Sequence, residues 1–339
     1  MDNKPETNPI PQTIRDSLFI ANTLIDVGFR SDNTIDRRFR YLADTKVPAN
    51  ATPVDGVRSY DVTNDPNWFR VYVPEGTTGK LPVIVYYHGG GFAYYDPDSA
   101  PFDGLCRRFA GMFPAIVVSA SYRLIPEFRY PTQYDDGFNL LTFLDDAQNR
   151  KKLPDNADLQ KLFVFGDSAG GNLAHHVALR ASQYKFQHIN VSGLVTLQPY
   201  FGGEERVNSE IASENRLGLH LNQTDFYWRV FQPHAPDEVW NRDHEVINVS
   251  GPRAANLAGL NFPPTLVVIG GRDILEDRQR NYYIWLLNSG KEAYMEEYKY
   301  MFHGFYTFPE LPEAIHVISV IKNFINNQVK KTTSPQSRL

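Results

Sequence analysis

Apolar positions along this chain keep two alternating rhythms. Ile14, Leu18, Ala21, Leu24 and Ile25 recur at three- and four-residue spacing, which predicts an amphipathic helix from residue 13. A second short helix is expected over 35–42. Residues 47–57 hold two prolines and no helical period, so they read as extended chain. Short apolar runs and helical runs then take turns. Strands are predicted over 68–73, 81–87, 115–121, 162–165, 191–197, 265–269 and 293–298. Helices are predicted over 102–113, 134–147, 172–183, 278–288 and 314–328. The run at 81–87 is almost continuously apolar, as a strand covered on both faces must be.

Strands separated by helices at this spacing predict an α/β unit with a mostly parallel central sheet flanked by helices. Residues 203–262 interrupt the rhythm. They are polar and loop-rich around one helix near 224–231, and a cap insertion fits there. The expected organisation is a polar tail over 1–12, a single domain over 13–328 and a second polar tail over 329–339. A cap would come from about 13–45 plus the 203–262 insertion.

Composition narrows the function classes. The chain has 339 residues and is 42% hydrophobic, enough to bury one large core. Its formal charge of -5 comes without a long run of one sign. That leaves no electrostatic footprint for nucleic acid or an anionic membrane. No apolar stretch is long enough to span a bilayer. The single cysteine, Cys106, allows neither an intramolecular disulfide nor a cysteine-based metal site. The N-terminal Met-Asp-Asn-Lys-Pro-Glu has no apolar leader, so no secretory signal is expected. The closing Ser-Arg-Leu is similar to a peroxisomal tripeptide.

Gly166-Asp167-Ser168-Ala169-Gly170 matches Gly-x-Ser-x-Gly between a predicted strand and a predicted helix. A serine on so tight a turn needs small residues two before and two after it. The turn lifts its hydroxyl clear of the sheet, with a helix N-terminus behind it. The competing reading is a plain glycine-rich turn. His88-Gly89-Gly90-Gly91-Phe92 follows the 81–87 strand. Three glycines can aim backbone N–H groups into a cavity without Cβ clashes. A phosphate loop would end in Lys-Ser or Lys-Thr, which this one does not. The amides of Gly90, Gly91 and Ala169 are the candidate donors to an oxyanion. His88 reads as a residue that orders the loop rather than a proton carrier.

A serine hydroxyl needs a base to take its proton. In hydrolases with this serine turn, an acid and then a histidine follow downstream. The 265–269 strand leads to Asp273, and the 293–298 strand leads to His303. Asp277 competes with Asp273, but lies a helical turn further on. His175, His176, His188, His220, His234 and His244 precede the acid and read as structural or surface residues. Phe92, Tyr94, Tyr200, Phe226 and Phe305 are candidate pocket residues, each equally readable as core. Ala93, Tyr130 and Phe201 are weaker candidates of the same kind. No metal or organic cofactor is expected.

His-Gly-Gly-Gly-Phe, Tyr122-Arg123-Leu124-Ile125-Pro126-Glu127 and Gly-Asp-Ser-Ala-Gly-Gly-Asn together resemble the hormone-sensitive-lipase-like esterases of the α/β-hydrolase fold. Arg242-Asp243-His244 and Pro309-Glu310-Leu311-Pro312-Glu313 resemble the plant carboxylesterases. Residues 46–57 are similar to the gibberellin receptors within that branch. The resemblance implies an N-terminal cap over the serine, a small-molecule ester substrate, and a cytosolic or nuclear protein, monomer or homodimer. It also implies two other outcomes. One is a hormone-binding protein, since the receptors keep the serine but lose the histidine, which here is present as His303. The other is a cyclase or eliminase of plant specialised metabolism. Ile125 departs from the family's usual alanine, outside the triad.

Overall fold

In a computed structural model, residues 10–212, 216–233 and 239–333 are described. His234, most of the predicted N-terminal tail and the Ser-Arg-Leu end lie outside them. Two helices open the chain, α1 (Gln12–Gly28) and α2 (Arg37–Ala43). There follow β1 (Val57–Asn64), β2 (Asn67–Pro74), β3 (Leu81–Tyr87), α3 (Ala100–Met112), β4 (Ile116–Ala120) and α4 (Thr132–Asp145). Next come β5 (Ala157–Asp167), α5 (Ala169–Ser182), β6 (Val191–Leu197), the short α6 (Asn208–Ile211) and α7 (Leu221–Phe231). The chain closes with β7 (Thr265–Gly270), α8 (Glu276–Asn288), β8 (Ala293–Tyr298) and α9 (Pro312–Thr333).

The eight strands form one sheet in the order β1-β2-β4-β3-β5-β6-β7-β8. β1, β2 and β4 pair antiparallel, and every later pair is parallel. Alternate side chains of β3 enter the two separate cores. Val83, Val85 and Tyr87 join Leu141, Leu173 and Val177 of α4 and α5. Ile84 and Tyr86 join Leu105, Phe109, Val317 and Ile321 of α3 and α9. This double burial is what the continuous apolar run required.

Three details depart from the sequence reading. β1 was not expected, because its polar residues Arg58, Ser59, Asp61 and Thr63 mask a strand at the sheet edge. Ile10 is buried beside Ile14, so ordered packing begins before residue 13. α9 runs to Thr333 rather than stopping at 328, with Lys331 paired to Glu292.

The hairpin of β1 and β2 anchors α3, whose first turn reaches the cleft described below. Arg70 is 2% exposed. Its guanidinium donates to Asp61 at 2.7 Å, to the Val47 carbonyl at 2.7 Å and to Asp103 of α3 at 3.2 Å. Asp103 also accepts from Tyr72 at 2.9 Å and from Arg107 at 2.7 Å.

α1 and α2 are fastened across the C-terminal edge of the sheet. Asn22 donates to the Gly218 carbonyl at 2.6 Å, and Gln223 of α7 donates to Asp26 at 2.8 Å. Phe29 stacks on Phe226 with ring centroids 3.9 Å apart. Arg37 pairs with Glu127 and donates to the carbonyls of Ala93 and Ile125.

Replacing Arg70 by alanine removes its bonds to Asp61, Asp103 and the Val47 carbonyl, leaves Asp103 with Arg107 and Tyr72, and should cost about 2 kcal/mol. Urea unfolding of Arg70→Ala should show that loss in the midpoint. A loss under about 1 kcal/mol would mean that Arg70 does not anchor the hairpin to α3.

Candidate active site

A single residue, Ser168, separates β5 from α5. Its backbone has φ 51° and ψ −120°, a left-handed position that side chains avoid and that costs about 1–3 kcal/mol. The surroundings enforce it. A Cβ on Gly166 would overlap the Gly170 carbonyl, and one on Gly170 would overlap the carbonyls of Tyr87 and His88. Only hydrogens fit where α5 crosses β3 and β5. Hydrogen bonds hold the turn on both sides. The Ser168 amide donates to Leu197 at 2.9 Å, and the Ser168 carbonyl accepts from Gly171 at 2.9 Å and Tyr200 at 2.8 Å. The N-terminus of α5 points its partial positive charge at the serine.

The glycine loop follows β3. Gly90 and Gly91 have φ of 105° and 63°. A Cβ on Gly91 would enter the Tyr227 ring, and one on Gly90 would meet the Tyr94 carbonyl. His88 is fully buried, stacks on Tyr122 at 4.5 Å, and its Nδ1 donates to the Gly89 carbonyl at 2.8 Å. Tyr122 donates to the His88 carbonyl at 2.6 Å. These contacts fix the loop. Among the described residues, no protein acceptor is found for the amides of Gly90, Gly91 and Ala169.

The loops after β7 and β8 bring Asp273 and His303 to the same edge. His303 Nε2 lies 2.9 Å from Ser168 Oγ, and His303 Nδ1 lies 2.7 Å from Asp273 Oδ2. A carboxylate only accepts, so Nδ1 carries the proton and Nε2 presents a lone pair to the serine. Burial pushes the imidazole down. The charge and hydrogen bond of Asp273, with a smaller contribution from Asp167, outweigh that and lift it above its usual range. Asp273 is fully buried and satisfied: Oδ2 also accepts from Gln198 at 3.0 Å and Gln279 at 2.8 Å, and Oδ1 from the Leu275 amide at 3.0 Å. Asp277 instead accepts from the Ser209 amide and Arg280, away from His303.

The other histidines take structural places. His175 contacts the Tyr282 hydroxyl at 2.9 Å, and His176 packs on Tyr134. Burial pushes both down, His176 to about 3. His244 stacks on Trp240, His220 touches Asn22, and the His188 backbone binds Asp145 and Gln160.

A cavity of about 400 Å³ opens onto Ser168 and His303. α1 lines one side with Ser17, Leu18, Ala21, Asn22 and Ile25; Leu219, Gln223 and Tyr227 line another. Of the five candidate pocket residues, only Tyr94 borders it. Phe92, Tyr200, Phe226 and Phe305 are core. Phe92 has φ 61°, which turns its ring away from the loop onto Tyr134, Trp228 and Phe231. Tyr200 stacks on Trp228 and donates to the Thr224 carbonyl. Phe226 sits one step round α7 from Tyr227 and faces Phe29. Phe305 packs on Tyr298 beneath the loop. The weaker candidates Ala93, Tyr130 and Phe201 likewise do not line the cavity.

Sequence reasoning also missed Gln198. It follows β6 with φ 44°; its side chain donates to Asp273 and the Phe302 carbonyl and accepts from the Gly304 amide at 2.7 Å. One residue thereby sets the acid against the histidine loop. A lone glutamine directly after a buried strand was the available signal.

A family model described as alpha/beta hydrolase fold matches residues 84–307. The chain is 38% identical over 314 residues to the gibberellin receptor GID1C of Arabidopsis thaliana, covering 88% of this chain and 89% of that one. It is 32% identical over 309 residues to probable carboxylesterase 2 of the same plant, covering 87% and 93%. The hyperthermophilic esterase of the archaeon Pyrobaculum calidifontis superposes with a TM-score of 0.70 at 25% identity, over 94% and 92% of the two chains.

Two glycines should separate clearly in thermal melts. Gly170→Ala forces a Cβ into backbone carbonyls and should cost more than about 3 kcal/mol. Gly104→Ala, with nothing within 4 Å in the middle of α3, should stabilise by up to about 1 kcal/mol. A neutral Gly170→Ala would contradict the packing described for the turn.

Proposed function

The chain belongs to the alpha/beta hydrolase fold family, and on that premise we propose that it is a serine carboxylesterase acting on small carboxylic esters. The observation that carries the reading is the unbroken line from Ser168 Oγ through His303 to Asp273, with links of 2.9 and 2.7 Å. His303 takes the serine proton as Oγ attacks the ester carbonyl, and Asp273 stabilises the imidazolium that forms. The amides of Gly90, Gly91 and Ala169 receive the charge of the tetrahedral intermediate. His303 then returns the proton to the departing alcohol. Water, activated by the same imidazole, releases the acid from Ser168.

No residue of this scheme requires a metal. Among the described residues there is no cluster of three or more metal-ligating side chains. No described helix is long and apolar enough to cross a membrane. The substrate is pictured as a small ester because the cavity that opens onto Ser168 and His303 holds about 400 Å³.

A second reading is favoured by the 38% identity to a gibberellin receptor, higher than to the carboxylesterase. In that reading the cavity holds a small molecule without turnover. The poised histidine weighs against it.

Hydrolysis of p-nitrophenyl acetate, butyrate and octanoate decides between them. Wild type should turn over, and Ser168→Ala should lose on the order of 10⁴-fold or more in kcat. Asp273→Asn should lose about 10⁴-fold by misplacing the imidazole proton. Because His303 must be neutral to act, activity should rise as pH climbs through its raised pKa. Folded wild type with no turnover above Ser168→Ala, but with tight binding of a gibberellin, would support the receptor reading instead.

A further inference from the structure

We propose that Asp167 is a positioning residue, whose carboxylate ties the oxyanion loop and the His303 loop to the serine turn and whose charge steadies the imidazolium. This inference rests on the hydrolase reading and adds a second carboxylate to it.

Asp167 ends β5, directly before Ser168, and is 3% exposed. The Ser168–His303–Asp273 line does not use it. Yet two tyrosine hydroxyls from different parts of the fold converge on it. Oδ1 accepts from Tyr86 of β3 at 2.6 Å, and Oδ2 from Tyr306 at 3.0 Å. The Gly89 backbone also packs against the carboxylate. Gly89 immediately precedes Gly90 and Gly91, so this contact holds the loop carrying the proposed oxyanion donors against the carboxylate. A Cβ on Gly89 would overlap Asp167 Oδ2, which leaves glycine as the residue that permits the approach. Tyr306 stands three residues after His303, so its bond holds the histidine loop.

Charge adds to this geometry. The titratable groups facing Asp167 are Tyr86 from β3, His303 and Tyr306 from the loop after β8, and Cys106 from α3. Arg108 of α3 lies behind them, donating to the Tyr306 carbonyl at 2.8 Å, and Asp273 faces Tyr306. Burial raises both tyrosines far above their usual range, so they remain donors. Burial also pushes Asp167 up, to about 6, against the hydrogen bonds of Tyr86 and Tyr306. The carboxylate is thus ionised at neutral pH, and its charge helps to lift His303. An amide in its place has one oxygen, could not accept from Tyr86 and Tyr306 on separate oxygens, and would carry no charge.

The test is steady-state hydrolysis of p-nitrophenyl butyrate by the full chain from about pH 5 to 9, for wild type, Asp167→Asn and Tyr306→Phe. Inactive wild type would sink the hydrolase reading on which this rests. With active wild type, Asp167→Asn should lose about 10- to 100-fold in kcat while KM stays within about twofold. Below about pH 6, wild-type activity should fall more steeply than one proton allows, because Asp167 must stay ionised and His303 neutral. Asp167→Asn should show a one-proton limb displaced to lower pH. Tyr306→Phe keeps the charge and should lose about fivefold in kcat with the steep limb retained. Wild-type kcat in Asp167→Asn overturns the proposal. So does a lowered kcat with an unmoved acid limb, the mark of a merely structural residue. Should Asp167→Asn not fold by circular dichroism, Tyr306→Phe decides: unchanged kcat overturns the proposal.

Discussion

The turn between β5 and α5 is the constraint on which the rest of the site depends. One residue joins a buried strand to a helix, and its φ of 51° is tenable only because two glycines let the backbones touch. The contact runs from α5 to the carbonyls of Tyr87 and His88, at the end of β3. The serine turn and the glycine loop are therefore packed against each other, not merely neighbours. Strain that would melt a surface turn is held here by sheet and helices buried on both sides.

From that junction the remaining parts follow by topology. Four parallel strands, β3, β5, β7 and β8, end at one edge of the sheet, and each delivers one element of the site. Ligand sites of α/β sheets form at this carboxyl edge. Gln198, from the end of the intervening β6, then couples two of the deliveries by bonding both Asp273 and the histidine loop. The amphipathic helix α1 closes the space above.

How much the sequence revealed follows from the same physics. Ser168, Asp273 and His303 were legible because strand, turn and order restrict what can stand there. The bounds of β3 and β6 were read directly, since strands buried on both faces are largely apolar. β1 was hidden because an edge strand may carry Arg58, Asp61 and Thr63 toward solvent. The cavity wall was hidden for a different reason. Leu18, Ala21 and Ile25 form the same apolar stripe whether it meets a core or a ligand space. Phe92 and Phe226 looked equally suited to a pocket, but backbone direction turned both inward. Such directions depend on single φ values and helix rotation, which residue type does not encode.

The identity to gibberellin receptors and the poised histidine pull in different directions, and only chemistry at the serine separates them. The most direct measurement is the intact mass of the protein trapped within milliseconds of mixing with p-nitrophenyl butyrate, followed by peptide mapping. The account predicts one butyryl group per chain, located on Ser168. Turnover with no adduct, or with the acyl group on another residue, would contradict it.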